Sequence, residues 1–159
     1  GGGHERGMRS GTLNVPGIVG FGAAAERAAA DMTASREETQ KIGLLRDRFE
    51  EQILAAAPGA RVLCLAGPRL ANTSCIVMPG VAAETQVMAL DLEGIAVSAG
   101  SACSSGKVKR SHVIEAMEPG GDAAASAIRI SFGWLNTPGE VDRLVAAWLK
   151  LYKRAGGPD

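Results

Sequence analysis

Ala127-Ile128-Arg129-Ile130-Ser131-Phe132, followed after a four-residue break by Thr137-Pro138-Gly139-Glu140, decides how this chain folds. From Ile128 to Phe132 apolar and polar residues alternate, the pattern of a strand with one face in a core. Thr137 with Glu140 three positions on, and Pro138 between them, is the signature of a capped helix start. Val141, Leu144, Val145, Trp148 and Leu151 then fall on one helical face. A half-buried strand running directly into an amphipathic helix requires a layer of each.

Working outward, Arg61 to Ala66 and Thr73 to Met78 are short, rich in Val, Ile, Leu and Cys, and separated by Gly67-Pro68 and Asn72. They predict two antiparallel strands. Between them and the quoted stretch, Glu84, Val87, Met88, Leu90 and Leu92 predict an amphipathic helix closed by Gly94. Ile95-Ala96-Val97 predicts a brief strand, and Ser111 to Met117 a helix. Ser98 to Gly106 holds only small residues around Cys103, which predicts a mobile loop. Upstream, Thr12 to Asn14 offers caps ahead of Pro16, and Ile18, Val19, Phe21 and the alanines through Ala30 predict a helix over about 15–31. Ser35 and Glu38 form a second capping box, and Ile42, Leu45, Phe49 and Ile53 predict a helix that ends before Pro58-Gly59. The expected architecture is α+β, a small antiparallel sheet packed on helices.

With 159 residues, 46% of them hydrophobic, the chain has the size and apolar content of a soluble globular domain. Seventeen basic residues balance seventeen acidic ones, so there is no basic field to draw nucleic acid or an anionic membrane. No apolar run approaches the ~20 residues that cross a bilayer, and neither end reads as a signal peptide, which points to the cytoplasm. Cys64, Cys75 and Cys103 form no C-x-x-C pair, so no metal site is expected.

Two glycine patterns are set aside. Gly17, Gly20 and Gly22 reverse the dinucleotide fingerprint and follow a capped loop rather than a strand, so close helix packing is expected of them. Gly100 to Lys107 has one residue too many for a phosphate loop, and Val108 stands where Ser or Thr would hold magnesium. Cys64 and Cys75 sit inside apolar strand patterns, where a thiol acts as a small buried hydrophobe. Cys103 lies amid Ser and Gly, with Lys107, Lys109 and Arg110 close behind. Two readings stand, an exposed thiol without function and a nucleophile whose thiolate is favoured by nearby cations. His4 and His112 are the only histidines, and no hydrolase partner motif accompanies them; His112 reads as a helix-start residue. For Arg129, alternation alone favours a solvent-facing side chain, whereas an inward one would need an anionic partner such as a carboxylate.

Three stretches together resemble the cysteine desulfurases, pyridoxal-phosphate enzymes of the aminotransferase class V group that feed iron-sulfur cluster assembly. They are Gly1 to Asn14 (Gly-Gly-Gly-His-Glu-Arg-Gly-Met-Arg-Ser-Gly-Thr-Leu-Asn), Ser98 to Gly106 (Ser-Ala-Gly-Ser-Ala-Cys-Ser-Ser-Gly), and Ala127 to Gly133. Their order and spacing match the family, and the resemblance covers essentially the whole chain. It implies the small C-terminal domain of a fold-type-I pyridoxal-phosphate transferase at 34–159, preceded at 1–33 by the end of the large domain and a long interdomain helix.

The resemblance further implies that Cys103 attacks the sulfur of L-cysteine, becoming a persulfide as L-alanine is released. Arg129 matches the arginine that holds the substrate carboxylate, which makes the inward-facing reading the dominant one. Thr12 matches the threonine that reaches the cofactor phosphate of a neighbouring subunit, so a homodimer is implied. A sulfur acceptor is implied too, an iron-sulfur scaffold or another acceptor protein. His4, Arg6, Arg9 and Asn14 belong to the matched segment without an assigned contact. The family's Schiff-base lysine lies upstream of the Gly-Gly-Gly motif, and Lys41, Lys107, Lys109, Lys150 and Lys153 do not stand in its context. The chain therefore reads as the C-terminal portion of a desulfurase. Glu118-Pro119-Gly120-Gly121-Asp122 and Arg110 depart from the family pattern and read as loop variation. The rival readings are a selenocysteine-lyase-type relative and a persulfide carrier or docking module without turnover.

Overall fold

Asn14 ends a stretch without regular structure and begins a helix, because its side-chain oxygen accepts the Gly17 backbone N–H at 3.2 Å. The computed structural model of the chain describes residues 2–34, 36–100, 111–118 and 121–156. The chain divides into two compact units, Gly1–Glu37 and Glu38–Asp159.

In the first unit β1 (Gly3–His4) pairs antiparallel with β2 (Arg9–Ser10) in the register Gly3↔Ser10 and His4↔Arg9. The reversal between them runs through left-handed backbone at Glu5, Arg6 and Gly7, with φ of 53°, 57° and 86°. The sequence reading has no counterpart for this hairpin, since neither strand is longer than two residues. Helix α1 spans Val15–Ala34, three residues beyond the expected end. A Cβ at Gly17 would lie 2.7 Å from the Asn14 amide nitrogen, so glycine there makes room for the cap. The packing role expected of Gly20 and Gly22 is not seen among the described residues, where an added Cβ at either meets nothing within 4 Å.

In the second unit α2 (Arg36–Ala56) buries Leu45, Phe49 and Ile53, the stripe its periodicity predicts. A four-stranded antiparallel sheet follows in the order β3-β4-β6-β5, built from Arg61–Val62, Thr73–Val77, Ala127–Ser131 and Ser98–Ala99 respectively. Strand β4 meets β6 from Thr73↔Ser131 to Val77↔Ala127. Helices α3 (Ala83–Leu92), α4 (His112–Met117), α5 (Ala123–Ser126) and α6 (Pro138–Arg154) complete the unit. One sheet face supplies Val62, Ile76, Ile128 and Ile130 to the main core, with Phe49 and Ile53 of α2 and Leu144 and Trp148 of α6. Burial of this apolar surface is what holds the layers together. Leu63, Val77 and Ala127 form a smaller cluster with Ala123 of α5, and Cys75 and Ile114 pack against it.

Three expectations change. The strand expected over Arg61 to Ala66 stops at Val62, and Cys64 adopts φ 63°, a left-handed conformation that a strand cannot contain. The brief strand expected at Ile95 to Val97 lies at Ser98–Ala99, inside the stretch expected to be all loop. Ladder hydrogen bonds to β6 define it, and small residues are no obstacle to those. In α3 Met88 and Leu92 are exposed while Gln86 is buried. Gln86 serves as a connector, its Nε2 donating to the Val81 carbonyl at 3.0 Å and to the Ser126 carbonyl at 2.6 Å.

Candidate functional site

The alternation of β6 sends Ile128 and Ile130 into the core and leaves Arg129 exposed. The inward-facing reading of Arg129 is thereby corrected. Its guanidinium belongs to the opposite face, where it needs no buried counter-ion. Arg129 lies directly across from Cys75 on one side and Ser98 on the other.

That face carries a cleft of about 380 Å³. Leu63, Cys64 and Cys75 line one wall, Ser98 and Gly100 another, and Ser111 with Ile114 of α4 a third; Arg129 rises from the β6 side. It is the one charged side chain among the described residues that line the cleft. No hydrogen bond or ion pair engages its guanidinium among the described residues. A planar cation at the wall of a small cleft suits a carboxylate, which it can hold through two parallel hydrogen bonds.

The α4 wall is set by local chemistry. Ser111 caps the helix, its Oγ accepting the Ile114 N–H at 3.4 Å while its own N–H donates to the Ala124 carbonyl at 3.1 Å. His112 takes the first helical position, as the sequence predicts. Beyond the helix, Arg61 of β3 donates to Glu118 at 2.7 Å and to Asp122 at 3.2 Å. The hydrogen bond to Glu118 is the first reason the Arg61 guanidinium stands above its usual range. So the variant turn after α4 carries an ion-pair anchor.

Cys103 lies outside the described residues. Gly100 and Ser111, the described residues that flank its segment, both line the cleft. Thr12 stands in the first unit, exposed, its carbonyl accepting from Arg9 at 3.3 Å, and it is not among the cleft-lining residues. The sequence reading missed Cys64 and Cys75. Cys64 is exposed and Cys75 half-buried, so neither is the inert core thiol that the apolar context suggests. Burial pushes the Cys75 thiol pKa up, the neighbouring Cys64 adds to this, and the Arg129 charge partly offsets it. The parity of Cys75 with Thr73 and Val77, opposite to Ile76, was the available signal for its face.

Pyridoxal phosphate requires a lysine amine for its aldehyde and polar anchors for its phosphate. Among the described residues the lysines are Lys41, Lys150 and Lys153, and none of them lines the cleft. Lys150 donates to Glu93 at 2.7 Å. Thr12 offers an exposed hydroxyl, suited to a phosphate oxygen. The described residues thus fit the edge of the group and not its covalent anchor.

Residues 3–144 match the family described as aminotransferase class-V. A cysteine desulfurase of Cereibacter sphaeroides is 49% identical over 145 residues, covering 91% of this chain and 36% of that protein. The cysteine desulfurase NifS of Azotobacter vinelandii is 41% identical over 145 residues, covering 91% of this chain and 35% of its own length. Among solved structures, a NifS-like protein from Rickettsia africae superposes with a TM-score of 0.79 at 33% identity, over 96% of this chain and 39% of that one. The chain spans little more than a third of the length of these relatives.

Proposed function

This chain belongs to the aminotransferase class-V family, and from that membership we propose that it forms the cysteine-activating part of a cysteine desulfurase. In this reading the cleft receives L-cysteine, and Arg129 holds its carboxylate through paired hydrogen bonds. The orientation so imposed fixes the substrate's sulfur for attack. The Cys103 thiolate attacks that sulfur, forming an S–S bond as the carbon–sulfur bond breaks. Cys103 leaves as a persulfide, the carbon skeleton takes up a proton, and L-alanine results, so no outside oxidant is needed.

Pyridoxal phosphate, when bound in the whole enzyme, supplies the electron withdrawal that loosens bonds at the substrate carbons. Thr12 contributes a phosphate contact to a neighbouring subunit, which makes the working form a homodimer. The persulfide then passes to an acceptor protein, an iron-sulfur scaffold or another thio-cofactor assembly partner, in the cytoplasm.

The observation that carries this reading is Arg129, the one charge among the described residues lining a cleft whose rim includes both described neighbours of the Cys103 segment. Its test is a single-turnover reaction of L-cysteine and pyridoxal phosphate with a polypeptide of the relatives' full length that includes this chain. The expected result is one added sulfur on Cys103 with a matching amount of alanine. Alanine without sulfur on Cys103 would favour the selenocysteine-lyase type of chemistry, and neither product would leave a carrier or docking role.

A further inference from the structure

We propose that Cys64 and Cys75 form a redox-sensitive thiol pair that closes into a disulfide along the wall of the Arg129 cleft, with a low-molecular-weight disulfide as the oxidant. The ladder between β3 and β4 pairs Arg61 with Val77 and Val62 with Ile76. It continues one step further, because the Leu63 N–H donates to the Cys75 carbonyl at 2.9 Å. Residues facing each other in such a ladder have Cα atoms about 5.5 Å apart. Cys64 is the next residue along, one Cα step of ~3.8 Å from the residue that faces Cys75, which puts the two cysteines on neighbouring positions at the end of the ladder, where a bridge needs Cα atoms roughly 4.4–6.8 Å apart.

Strand alternation would send Cys64 to the face opposite Leu63 and Cys75. Its left-handed backbone, φ 63°, ends the strand at that point, and Cys64 instead lines the same cleft as Leu63 and Cys75. Cys75 feels the charge of both Cys64 and Arg129, which puts the three groups in one neighbourhood. Cys64 is exposed and Cys75 half-buried, which sets the order of events. The Cys64 thiolate attacks the external disulfide, forming a mixed disulfide and releasing one thiol. The Cys75 thiolate then attacks the Cys64 sulfur, and the second thiol leaves. The external disulfide is reduced to two thiols, and two cysteines are oxidised to one bridge. The closed bridge ties the turn after β3 to β4 beside Arg129. It stands on the cleft geometry alone and does not depend on the desulfurase reading.

The test uses the Cys103→Ser variant of the chain, in which Cys64 and Cys75 are the only thiols left. It is exposed to glutathione disulfide, alkylated with iodoacetamide, and mapped with trypsin, which separates residues 62–69 from 70–107. Free thiols should fall from two to none without retained glutathione, with the two peptides joined and released by dithiothreitol. The wild-type chain should give the same linked peptides with Cys103 alkylated, which guards against a folding defect in the variant. The Cys75→Ser variant should instead accumulate glutathione on Cys64. Persistent glutathione on Cys64 with Cys75 still alkylated, disulfide-linked dimers, or two thiols that resist oxidation would each overturn the proposal.

Discussion

Arg69 and Glu50 meet through two parallel hydrogen bonds of 2.7 and 2.8 Å, joining the turn that follows Cys64 to the inner half of α2. The Glu50 carboxylate is only 6% exposed and the Arg69 side chain 16%. The hydrogen bond to Glu50 is the leading cause that lifts the Arg69 pKa. Removing the cation strands a carboxylate that has little access to water. Arg69→Met should therefore cost about 2 kcal/mol in urea unfolding, the solvent-discounted end of what breaking a buried pair costs. The double change Arg69→Met with Glu50→Leu should recover most of that loss. A double variant as unstable as the single one would show that packing, not the stranded charge, sets the cost.

Gln86 is fully buried and bridges two carbonyls from separate segments. Gln86→Leu keeps the volume but leaves the Val81 and Ser126 carbonyls without this donor. Each buried acceptor so abandoned costs on the order of 1–3 kcal/mol. Thermal unfolding should show a clear drop in midpoint, and an unchanged midpoint would mean that the carbonyls find other donors.

Thr137 and Glu140 close a reciprocal box, with the Glu140 N–H donating to Thr137 Oγ1 at 3.4 Å and the Thr137 N–H to Glu140 at 2.8 Å. Thr137→Ala should destabilise the second unit by about 1 kcal/mol, and Thr137→Ser by much less. Denaturant midpoints for the pair decide this, and equal losses would assign the effect to the threonine methyl.

Asp142 on α6 accepts from Arg48 at 2.9 and 3.0 Å and from Gln52 at 3.1 Å, all on α2. The hydrogen bond from Arg48, then that from Gln52, holds its carboxyl below the usual aspartate range. A depressed folded-state pKa means the stabilisation is fully present above the unfolded value of about 3.9 and is lost as pH falls through the lower folded value. Wild type should exceed Asp142→Asn in stability at neutral pH, with the gap narrowing once pH drops below that range. A gap of constant size from neutral to acid would rule the titration out.

Arg129→Gln keeps a donor but loses the charge and the fork. Under the proposed function, the KM for L-cysteine of the full-length polypeptide should rise about ten- to a hundred-fold, the value of a charge-assisted hydrogen bond of roughly 1.5–3 kcal/mol. A change in kcat alone, with KM intact, would take Arg129 out of substrate binding.

The parts of this fold readable in advance are those with a local, periodic signature. Leu45, Phe49 and Ile53 on α2, the Thr137 box, and the antiparallel pairing of β3 with β4 each follow from residues close together in sequence. What escaped depends on partners far along the chain. Arg69 and Glu50 are nineteen residues apart with no pattern linking them. Gln86 looks like a surface residue until the Ser126 carbonyl, forty positions away, gives it a reason to be buried. Ser98–Ala99 is a strand only because β6 supplies its ladder. Cys64 was misplaced because its apolar neighbours suit a strand, while its left-handed backbone leaves no mark in residue type. For Arg129 the alternation had the facing right; requiring a buried partner for it was the error, since a residue exposed at a cleft keeps its contact with solvent.

Because Arg129 and the core residues Ile128 and Ile130 share one five-residue strand gripped on both edges, the cleft's charge and the sheet's interior are written in the same frame. A single inserted or deleted residue in β6 would carry a guanidinium inward and an isoleucine outward together. The cleft's cation and the core have no separate histories of change open to them. Any shift along this strand is opposed by both at once.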